Sequence, residues 1–152
     1  MVHDGDKAPD FELPMDSGET LALSRFKGKP VVLYFYPKDD TSGCTAEAKD
    51  FSRLAPDFRK AGVEVIGVSP DSVESHAKFR KKYDLAVRLA ADADKTVVTA
   101  YGVWVEKSMY GRKYMGVERS TFLIDREGRV AKVMRRVKPD THTEQVLEAL
   151  PD

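Results

Sequence analysis

Cys44, the single cysteine of this 152-residue chain, follows a polar loop that begins where an apolar run ends. The run 31–36 is continuous in apolar, β-branched and aromatic residues, and Pro37 closes it. Cys44 then stands at the predicted start of a helix, where backbone N–H groups lack helical partners and the helix dipole is positive. Such a position lowers the pKa of a cysteine and favours the nucleophilic thiolate. The pattern therefore predicts a reactive thiol, although a lone cysteine is more often an inert buried side chain.

A thiolate that cleaves a peroxide needs in-line access to the O–O bond and stabilisation of the charge on the leaving oxygen. Thr41 offers a hydroxyl three residues before Cys44, or alternatively serves as a loop or helix-capping residue. Gly43 leaves neighbouring backbone N–H groups uncovered, and Pro37 shields the sulfur from water. The loop therefore carries the groups that peroxide reduction requires.

A cation from elsewhere in the chain must help to keep the sulfur ionised. Arg119, just before a predicted strand, is the candidate; a surface arginine beside a strand is the alternative interpretation. Glu47 lies one helical turn after Cys44 and is placed to orient Arg119. A solvent-exposed helical glutamate is the alternative for that residue.

Strand-like and helix-like segments alternate along the chain, without a repeat or a low-complexity linker. Predicted strands lie at 11–13, 20–23, 31–36, 63–68, 87–89, 120–124 and 130–134. Predicted helices run from about 44 to 62 with a break near Pro56, from 72 to 83, from 92 to 101, and from a capping box at 141–144 onward. A glycine-rich stretch separates the third helix from the strand at 120. The order predicts an α/β fold with a central mixed β-sheet, helices on both faces and a short N-terminal hairpin, in one domain over residues 1–152.

Composition restricts the classes of partner. The 25 basic and 25 acidic side chains balance, which disfavours nucleic acid as a partner. No run approaches the roughly 18 apolar residues of a membrane helix, and the polar N-terminus does not resemble a secretory signal. A free thiol favours a reducing compartment, and we expect the cytoplasm.

The three histidines, His3, His76 and His142, lack metal-ligand spacing, and we expect them at the surface, with no metal, haem or flavin cofactor.

The spacing Pro37-x-x-x-Thr41-x-x-Cys44 matches the peroxiredoxin signature. Collinear segments resemble the bacterioferritin comigratory protein (peroxiredoxin Q) subfamily, and the similarity runs from about residue 5 to residue 150. The segments are 34–41, 65–76, 101–104, 113–116 and 118–125. The resemblance implies a thioredoxin-like fold and thiol peroxidase activity.

The resemblance also assigns roles by position. Cys44 matches the peroxidatic cysteine, Thr41 and Pro37 match the active-site threonine and proline, and Arg119 matches the active-site arginine. Glu47 matches an acidic residue that is often found there.

The chain departs from the subfamily at two positions. Ser42 replaces the usual proline before the glycine of the loop, which changes loop stiffness more than chemistry. Many members carry a resolving cysteine five residues after the first, where this chain has Lys49. An intramolecular disulfide is therefore impossible, and an external thiol must reduce the sulfenic acid that forms on Cys44.

These observations predict a single-cysteine peroxidase for hydrogen peroxide and organic hydroperoxides, recycled by thioredoxin, glutaredoxin or a small thiol. We expect a monomer, with a dimer as the alternative. A redox sensor or thiol-based binding module that forms mixed disulfides is the second hypothesis, since a resolving cysteine is missing. A general disulfide oxidoreductase is a weaker third, because the chain has no Cys-x-x-Cys.

Overall fold

The structure, a computed structural model, describes residues 2–139 and 142–150. Its strands are β1 Glu12–Pro14, β2 Thr20–Ala22, β3 Val31–Phe35, β4 Glu64–Ser69, β5 Arg88–Ala91, β6 Trp104–Met109, β7 Arg112–Val117, β8 Ser120–Ile124 and β9 Val130–Arg135. Its α-helices are α1 Ser42–Arg53, α2 Ala55–Lys60, α3 Val73–Tyr83, α4 Thr96–Ala100 and α5 His142–Glu148, and a short 3-10 helix spans Leu23–Phe26.

A five-stranded sheet in the order β5-β4-β3-β8-β9 forms the centre of the fold. Strand β3 lies in the middle, parallel to β4 and antiparallel to β8. Every residue of β3 is buried, as its continuous apolar run predicts for a strand covered on both faces. Because β4 and β5 are parallel whereas β8 and β9 are antiparallel, the sheet is mixed.

Successive residues of β3 point to opposite faces of the sheet and enter different core clusters. Leu33 and Phe35 pack with α4 and the N-terminal β1–β2 hairpin. Val32 and Tyr34 pack with α1, α2, α3 and α5. The sheet therefore has helices on both faces and a short N-terminal hairpin, which confirms the predicted fold class.

The helical segment that follows β3 is broken where the sequence predicts a break. Helix α1 ends at Arg53, and Pro56 lies in the first turn of α2. Proline suits that position because the first N–H groups of a helix have no intrahelical partner. Gly62 adopts a φ of 73°, a left-handed conformation that favours glycine, and the chain then enters β4.

The β6–β7 hairpin is an element that the sequence analysis did not predict. Its two strands pair over their full length and connect through Tyr110 and Gly111, which have φ values of 52° and 76°. Two consecutive residues with positive φ are typical of a type I′ hairpin turn. Most residues of both strands are exposed or only half-buried. The segment therefore lacks the apolar alternation from which a half-buried strand is predicted.

Two of the three histidines contradict the prediction of surface positions. His3 is exposed, as expected, but His76 and His142 are fully buried. Nε2 of His142 contacts the hydroxyl of Thr121 on β8, and Phe51 meets the imidazole edge-on. Burial, together with the charge of Arg119, lowers the pKa of His142 to about 4. The ring is therefore neutral at physiological pH and serves as part of the core between α5 and β8.

The N-terminal half of the predicted capping box, Thr141, lies outside the described residues, whereas α5 itself is helical from His142 to Glu148. Among the described residues, no helix is long and apolar enough to cross a membrane.

Candidate active site

The sulfur of Cys44 lies in the first turn of α1, beside the carboxyl end of the central strand. The helix begins at Ser42 rather than at Cys44, and Thr41 precedes it with extended backbone. Cys44 is therefore still within the turn whose N–H groups have no helical acceptor. Its side chain is 1% exposed. The thiol is thus buried in the position that the sequence predicts to be reactive.

Arg119 joins Cys44 to Glu47 through one guanidinium group. Its Nη2 donates to Cys44 Sγ at 3.3 Å, and its Nη1 donates to Glu47 Oε1 at 2.6 Å. The arginine reaches this place because β8 pairs with β3: Ser120 lies opposite Phe35, so Arg119 is carried to the carboxyl end of β3. The structure therefore brings together three of the predicted site residues from two distant parts of the chain.

The electrostatics of this group favour a charged arginine. Burial acts to lower the pKa of Arg119, but Glu47 and Cys44 outweigh it and raise that pKa. The charged guanidinium donates to the sulfur across 3.3 Å, and hydrogen bonds from an ionised donor are stronger than those between neutral groups. The same donor is available to an oxygen that develops negative charge near the sulfur.

Glu47 is fully buried, so the alternative of a solvent-exposed helical glutamate is wrong. Burial raises the pKa of Glu47 to about 7, against the opposing effect of Arg119. Its Oε2 has no hydrogen-bond partner among the described residues, whereas Oε1 accepts from Arg119. Glu47 therefore holds the guanidinium at considerable cost in desolvation.

Gly43 provides the space in which Arg119 lies. A Cβ at this position would stand 3.2 Å from Arg119 Nη2 and 3.2 Å from Pro139 Cγ. Both distances are tighter than ordinary van der Waals contact, so a side chain here displaces the guanidinium or Pro139. The sequence analysis assigned Gly43 to uncovering backbone N–H groups, and the structure adds this close approach of the arginine.

We predict that Gly43→Ala lowers the second-order rate constant for oxidation of Cys44 by hydrogen peroxide by about 3- to 10-fold, because the guanidinium moves by a few tenths of an ångström. Thermal stability should change little, since the residue has ordinary helical geometry and alanine favours a helix. Stopped-flow oxidation and thermal unfolding measure the two effects. Ser42→Ala, an exposed neighbour, is the control and should match the wild type. An unchanged rate constant in Gly43→Ala contradicts the prediction.

Pro37 and Thr41 are the first and last residues of the active-site loop, which is defined as residues 37–41 between β3 and α1. The hydroxyl of Thr41 donates to the carbonyl of Lys38 at 2.8 Å and caps no N–H of α1. Within the described residues, no hydrogen bond joins this hydroxyl to Cys44. Its oxygen retains lone pairs that can accept a hydrogen bond from a substrate O–H. Pro37 is half-buried at the exit of β3.

The two positions that differ from the subfamily pattern are both on α1. Ser42 is its first residue, a position that suits proline because the N–H lacks an intrahelical acceptor. Lys49 is exposed, with its Nζ 5.9 Å from the centroid of the Tyr83 ring. Cys44 is a free thiol.

The sequence analysis missed how α3 holds the active-site loop. Asp39, buried in the middle of the loop, accepts hydrogen bonds from Ser75 and contacts His76. Asp40 has a φ of 59° and accepts from Lys82 and Tyr83. A positive φ is uncommon for a residue other than glycine, although aspartate adopts it more often than most. These residues come from distant segments, so no local pattern indicates the pairing.

One group of described residues has ligand atoms close enough together to hold a metal ion: Asp39, Asp71 and His76, within 4.8 Å of one another. These atoms already take part in hydrogen bonds, from Ser75 to Asp39 and from Ser69 to Asp71. The arrangement is explained by its hold on the loop. The Cys44 site itself consists of a thiol, a guanidinium and a carboxylate.

Residues 5–133 match the model of the AhpC/TSA family. Peroxiredoxin Bcp of Bacillus subtilis is 51% identical over 148 residues, which are 97% of this chain and 94% of the relative. Among solved structures, the bacterioferritin comigratory protein of Xanthomonas campestris is 44% identical with a TM-score of 0.87, covering 91% of this chain and 88% of that one. A more distant structure, the 1-Cys peroxiredoxin of yeast mitochondria, is 25% identical with a TM-score of 0.82, covering 97% and 74%.

The matched region contains the whole arrangement of Cys44, Glu47 and Arg119, and the similarity extends over nearly the full length of the bacterial relatives. These findings confirm the resemblance stated from the sequence. The chain therefore belongs to the AhpC/TSA family and, within it, to the peroxiredoxins of the Bcp or peroxiredoxin Q type.

Proposed function

We propose that Cys44 is the peroxidatic nucleophile of this thiol-dependent peroxidase. The observation that carries the assignment is the Arg119 guanidinium, which bridges Cys44 Sγ at 3.3 Å and Glu47 Oε1 at 2.6 Å. A buried thiol with a fixed cationic donor is a site at which the thiolate is favoured. The X. campestris relative is described by its alkyl peroxide reduction activity. We propose hydrogen peroxide and organic hydroperoxides as the substrates of this chain.

In the attack step, Cys44 Sγ displaces an alkoxide or hydroxide from the hydroperoxide. A new S–O bond forms, the O–O bond breaks, and its electron pair leaves on the second oxygen, which takes a proton from water. The sulfur is oxidised to a sulfenic acid and the peroxide is reduced to an alcohol or to water. Arg119 and the free N–H groups of the first turn of α1 stabilise the departing charge. The hydroxyl oxygen of Thr41 accepts a hydrogen bond from the substrate O–H and so aligns the peroxide with the sulfur, while Pro37 limits the access of water.

Recycling requires a thiol from another molecule, since the chain has no second cysteine. A first external thiol displaces water from the sulfenic acid and forms a mixed disulfide with Cys44. A second thiol then releases the Cys44 thiol and leaves the external pair as a disulfide. The yeast relative is described by a thiol-resolving mechanism through glutathione and thioredoxin systems. We propose thioredoxin, glutaredoxin or a small thiol in this role.

The buried position of Cys44 makes the two half-reactions sterically different. A small peroxide needs only a narrow approach to a sulfur that is 1% exposed, whereas a protein thiol needs a wider one. The mixed-disulfide step therefore requires local displacement of the residues that cover Cys44.

Intact-mass measurement after stoichiometric peroxide tests the proposal. The native protein should gain one oxygen atom on Cys44, and excess peroxide without a thiol should add more, since no second cysteine traps the sulfenic acid. With a thiol donor, Cys44→Ser should lose essentially all peroxide consumption. An unmodified Cys44, or a Cys44→Ser variant that consumes peroxide at the wild-type rate, contradicts the assignment.

The missing resolving cysteine also favours a second candidate, a redox sensor that docks a partner through a mixed disulfide. A non-reducing gel of the oxidised protein, with and without thioredoxin, separates the two. Multiple turnovers with a reductant support the peroxidase. Trapping of one specific partner without turnover supports the sensor.

We propose that residues 1–152 form one thioredoxin-like domain that acts as a cytoplasmic monomer without a metal, haem or flavin. Both core clusters share the same central sheet, which supports a single domain. A free catalytic thiol is best maintained in a reducing compartment, which supports the location. Gel filtration of the reduced and oxidised forms distinguishes a monomer from a disulfide-linked dimer.

A further inference from the structure

The active-site loop is fixed to the rest of the fold by a buried polar network around Asp39. One carboxylate oxygen of Asp39 accepts from Tyr36 at 2.6 Å, and the other accepts from Ser75 at 2.8 Å. The backbone N–H of Asp39 donates to Asp71 at 2.8 Å. Asp39 is buried although it belongs to a loop. The network therefore sets the position of the segment that carries Pro37 and Thr41.

His76, in the first part of α3, is the buried partner of this network. Its Nδ1 lies 2.6 Å from Asp39 Oδ2, and its Nε2 lies 2.9 Å from the carbonyl oxygen of Ala90. A backbone carbonyl can only accept, and so can an ionised carboxylate. With Asp39 ionised, both ring nitrogens therefore carry a proton. This geometry describes an imidazolium ion in a buried ion pair with Asp39.

We infer that His76 is a positioning residue for peroxide reduction, which acts through Asp39 by holding the active-site loop in its reactive geometry. The inference rests on the proposed role of this loop in the attack step. Two loop residues directly before Thr41 are bound to α3 through their side chains. Asp39 contacts Ser75 and His76. Asp40 accepts hydrogen bonds from Lys82 and Tyr83. Loss of the contact between His76 and Asp39 removes one of the bonds that fix Asp39 and leaves its carboxylate without the buried imidazole. Misplacement by about 1 Å can reduce a rate about 100-fold.

The protonation state of His76 makes its hold on the active-site loop depend on pH. Burial alone acts to lower the pKa of His76, but the Asp39 carboxylate and the Ala90 carbonyl outweigh it and raise that pKa. The titratable side chains that face the imidazole are Asp39, Asp71 and Tyr36. Tyr36 keeps its proton, because burial raises its pKa well above 10. The hold on the loop is therefore complete below the ordinary pKa of histidine and is lost as the pH rises through the raised value.

Nuclear magnetic resonance of the wild-type protein tests the imidazolium without any peroxide. The ring ¹⁵N shifts of His76 at about pH 7.5, above the ordinary histidine pKa near 6.5, should show two protonated nitrogens. The signature of a neutral tautomer at that pH overturns the inference. Because the measurement involves no peroxide, its result is independent of the proposed role of Cys44.

Two variants of His76 test the link to catalysis. The amide nitrogen of His76→Asn can take the place of Nδ1 and still donate to Asp39, whereas that of His76→Gln takes the place of Nε2 and keeps only Ala90. We expect the rate constant for Cys44 oxidation by hydrogen peroxide to fall about 10- to 100-fold in His76→Gln and about 3-fold in His76→Asn. The wild type should lose rate at alkaline pH relative to its thiolate reactivity with iodoacetamide, and both variants should lack this alkaline loss.

The controls separate positioning from unfolding. Circular dichroism establishes that each variant is folded, and His3→Gln, at an exposed histidine, should match the wild type in rate and pH profile. If His76→Gln does not fold, Asp39→Asn replaces it, since it keeps the shape of the loop residue but removes the charge that His76 faces. It should show the same loss of rate and of the alkaline dependence. A folded His76→Gln or Asp39→Asn variant with the wild-type rate constant and pH profile overturns the inference.

Discussion

Replacement of Arg119 by methionine is expected to lower the second-order rate constant for oxidation of Cys44 by hydrogen peroxide by about 10²- to 10³-fold. The guanidinium is the cation placed within hydrogen-bond distance of the sulfur, at 3.3 Å. Its removal takes away a stabilising donor from the thiolate and from the departing oxygen together. Stopped-flow or competition kinetics with hydrogen peroxide measure the loss.

Arg119→Lys separates the charge of the side chain from its shape. A lysine ammonium is a single point of donation and cannot bridge Glu47 and Cys44 in the manner of the planar guanidinium. We therefore expect a loss of about 10-fold or more even though the charge is kept. Reaction with iodoacetamide, in which no oxygen departs, should fall less than the reaction with peroxide in both variants.

Arg126→Met is the matched control for these variants. Arg126 is exposed in the turn between β8 and β9, at the end of the sheet away from Cys44, and its removal should leave the rate constant unchanged. If Arg119→Met retains more than half of the wild-type rate constant, Arg119 has no part in the attack step.

Glu47→Gln is expected to lower peroxide reactivity and raise stability in the same molecule. The neutral amide holds Arg119 less firmly, so the rate constant should fall about 10-fold. The pKa of Glu47 in the folded protein, about 7, lies above its ordinary value of 4.5 because burial penalises the carboxylate. A raised value means that Glu47 contributes most to stability below its unfolded pKa, and that this contribution is lost as the pH rises through about 7.

The free energy of unfolding therefore gives a signed test. At about pH 8.5 we expect Glu47→Gln to exceed the wild type by about 1–3 kcal/mol, and at about pH 5 we expect the difference to shrink towards zero. Urea unfolding at both pH values measures it. Glu74→Gln, at an exposed position of α3, should show neither effect. A Glu47→Gln variant that is less stable than the wild type at the higher pH would show that the attraction of Arg119, rather than desolvation, dominates.

These predictions concern a site whose local half could be predicted from the sequence. Pro37, Thr41 and Cys44 are near in the chain, and the strand–loop–helix pattern around them indicates their relative places. The burial of β3 followed from its apolar run, and the break at Pro56 followed from the missing N–H of proline. Short-range sterics and hydrophobic periodicity determine these features, so they can be deduced from neighbouring residues.

Other features depended on contacts between distant segments. The surface positions expected for His76 and His142 were wrong, because a histidine is accepted in the core when a partner such as Asp39 or Thr121 is present. The β6–β7 hairpin was missed because most of its residues face solvent. Sequence periodicity indicates which residues are buried, and it does not indicate two strands that pair while their side chains face solvent.

The solitary Cys44 shows which features of the site follow from the sequence alone and which depend on the tertiary structure. The sequence alone determined that the thiol stands at the start of a helix and that no second cysteine can resolve its sulfenic acid, since both statements depend only on residue type and order. Only the tertiary structure decided that Arg119 reaches the sulfur, that Glu47 is buried behind it, and that Gly43 leaves the space for both contacts. The reason is physical: a cation 75 residues away is brought to a thiol by strand pairing and packing, which are long-range interactions that no local pattern encodes.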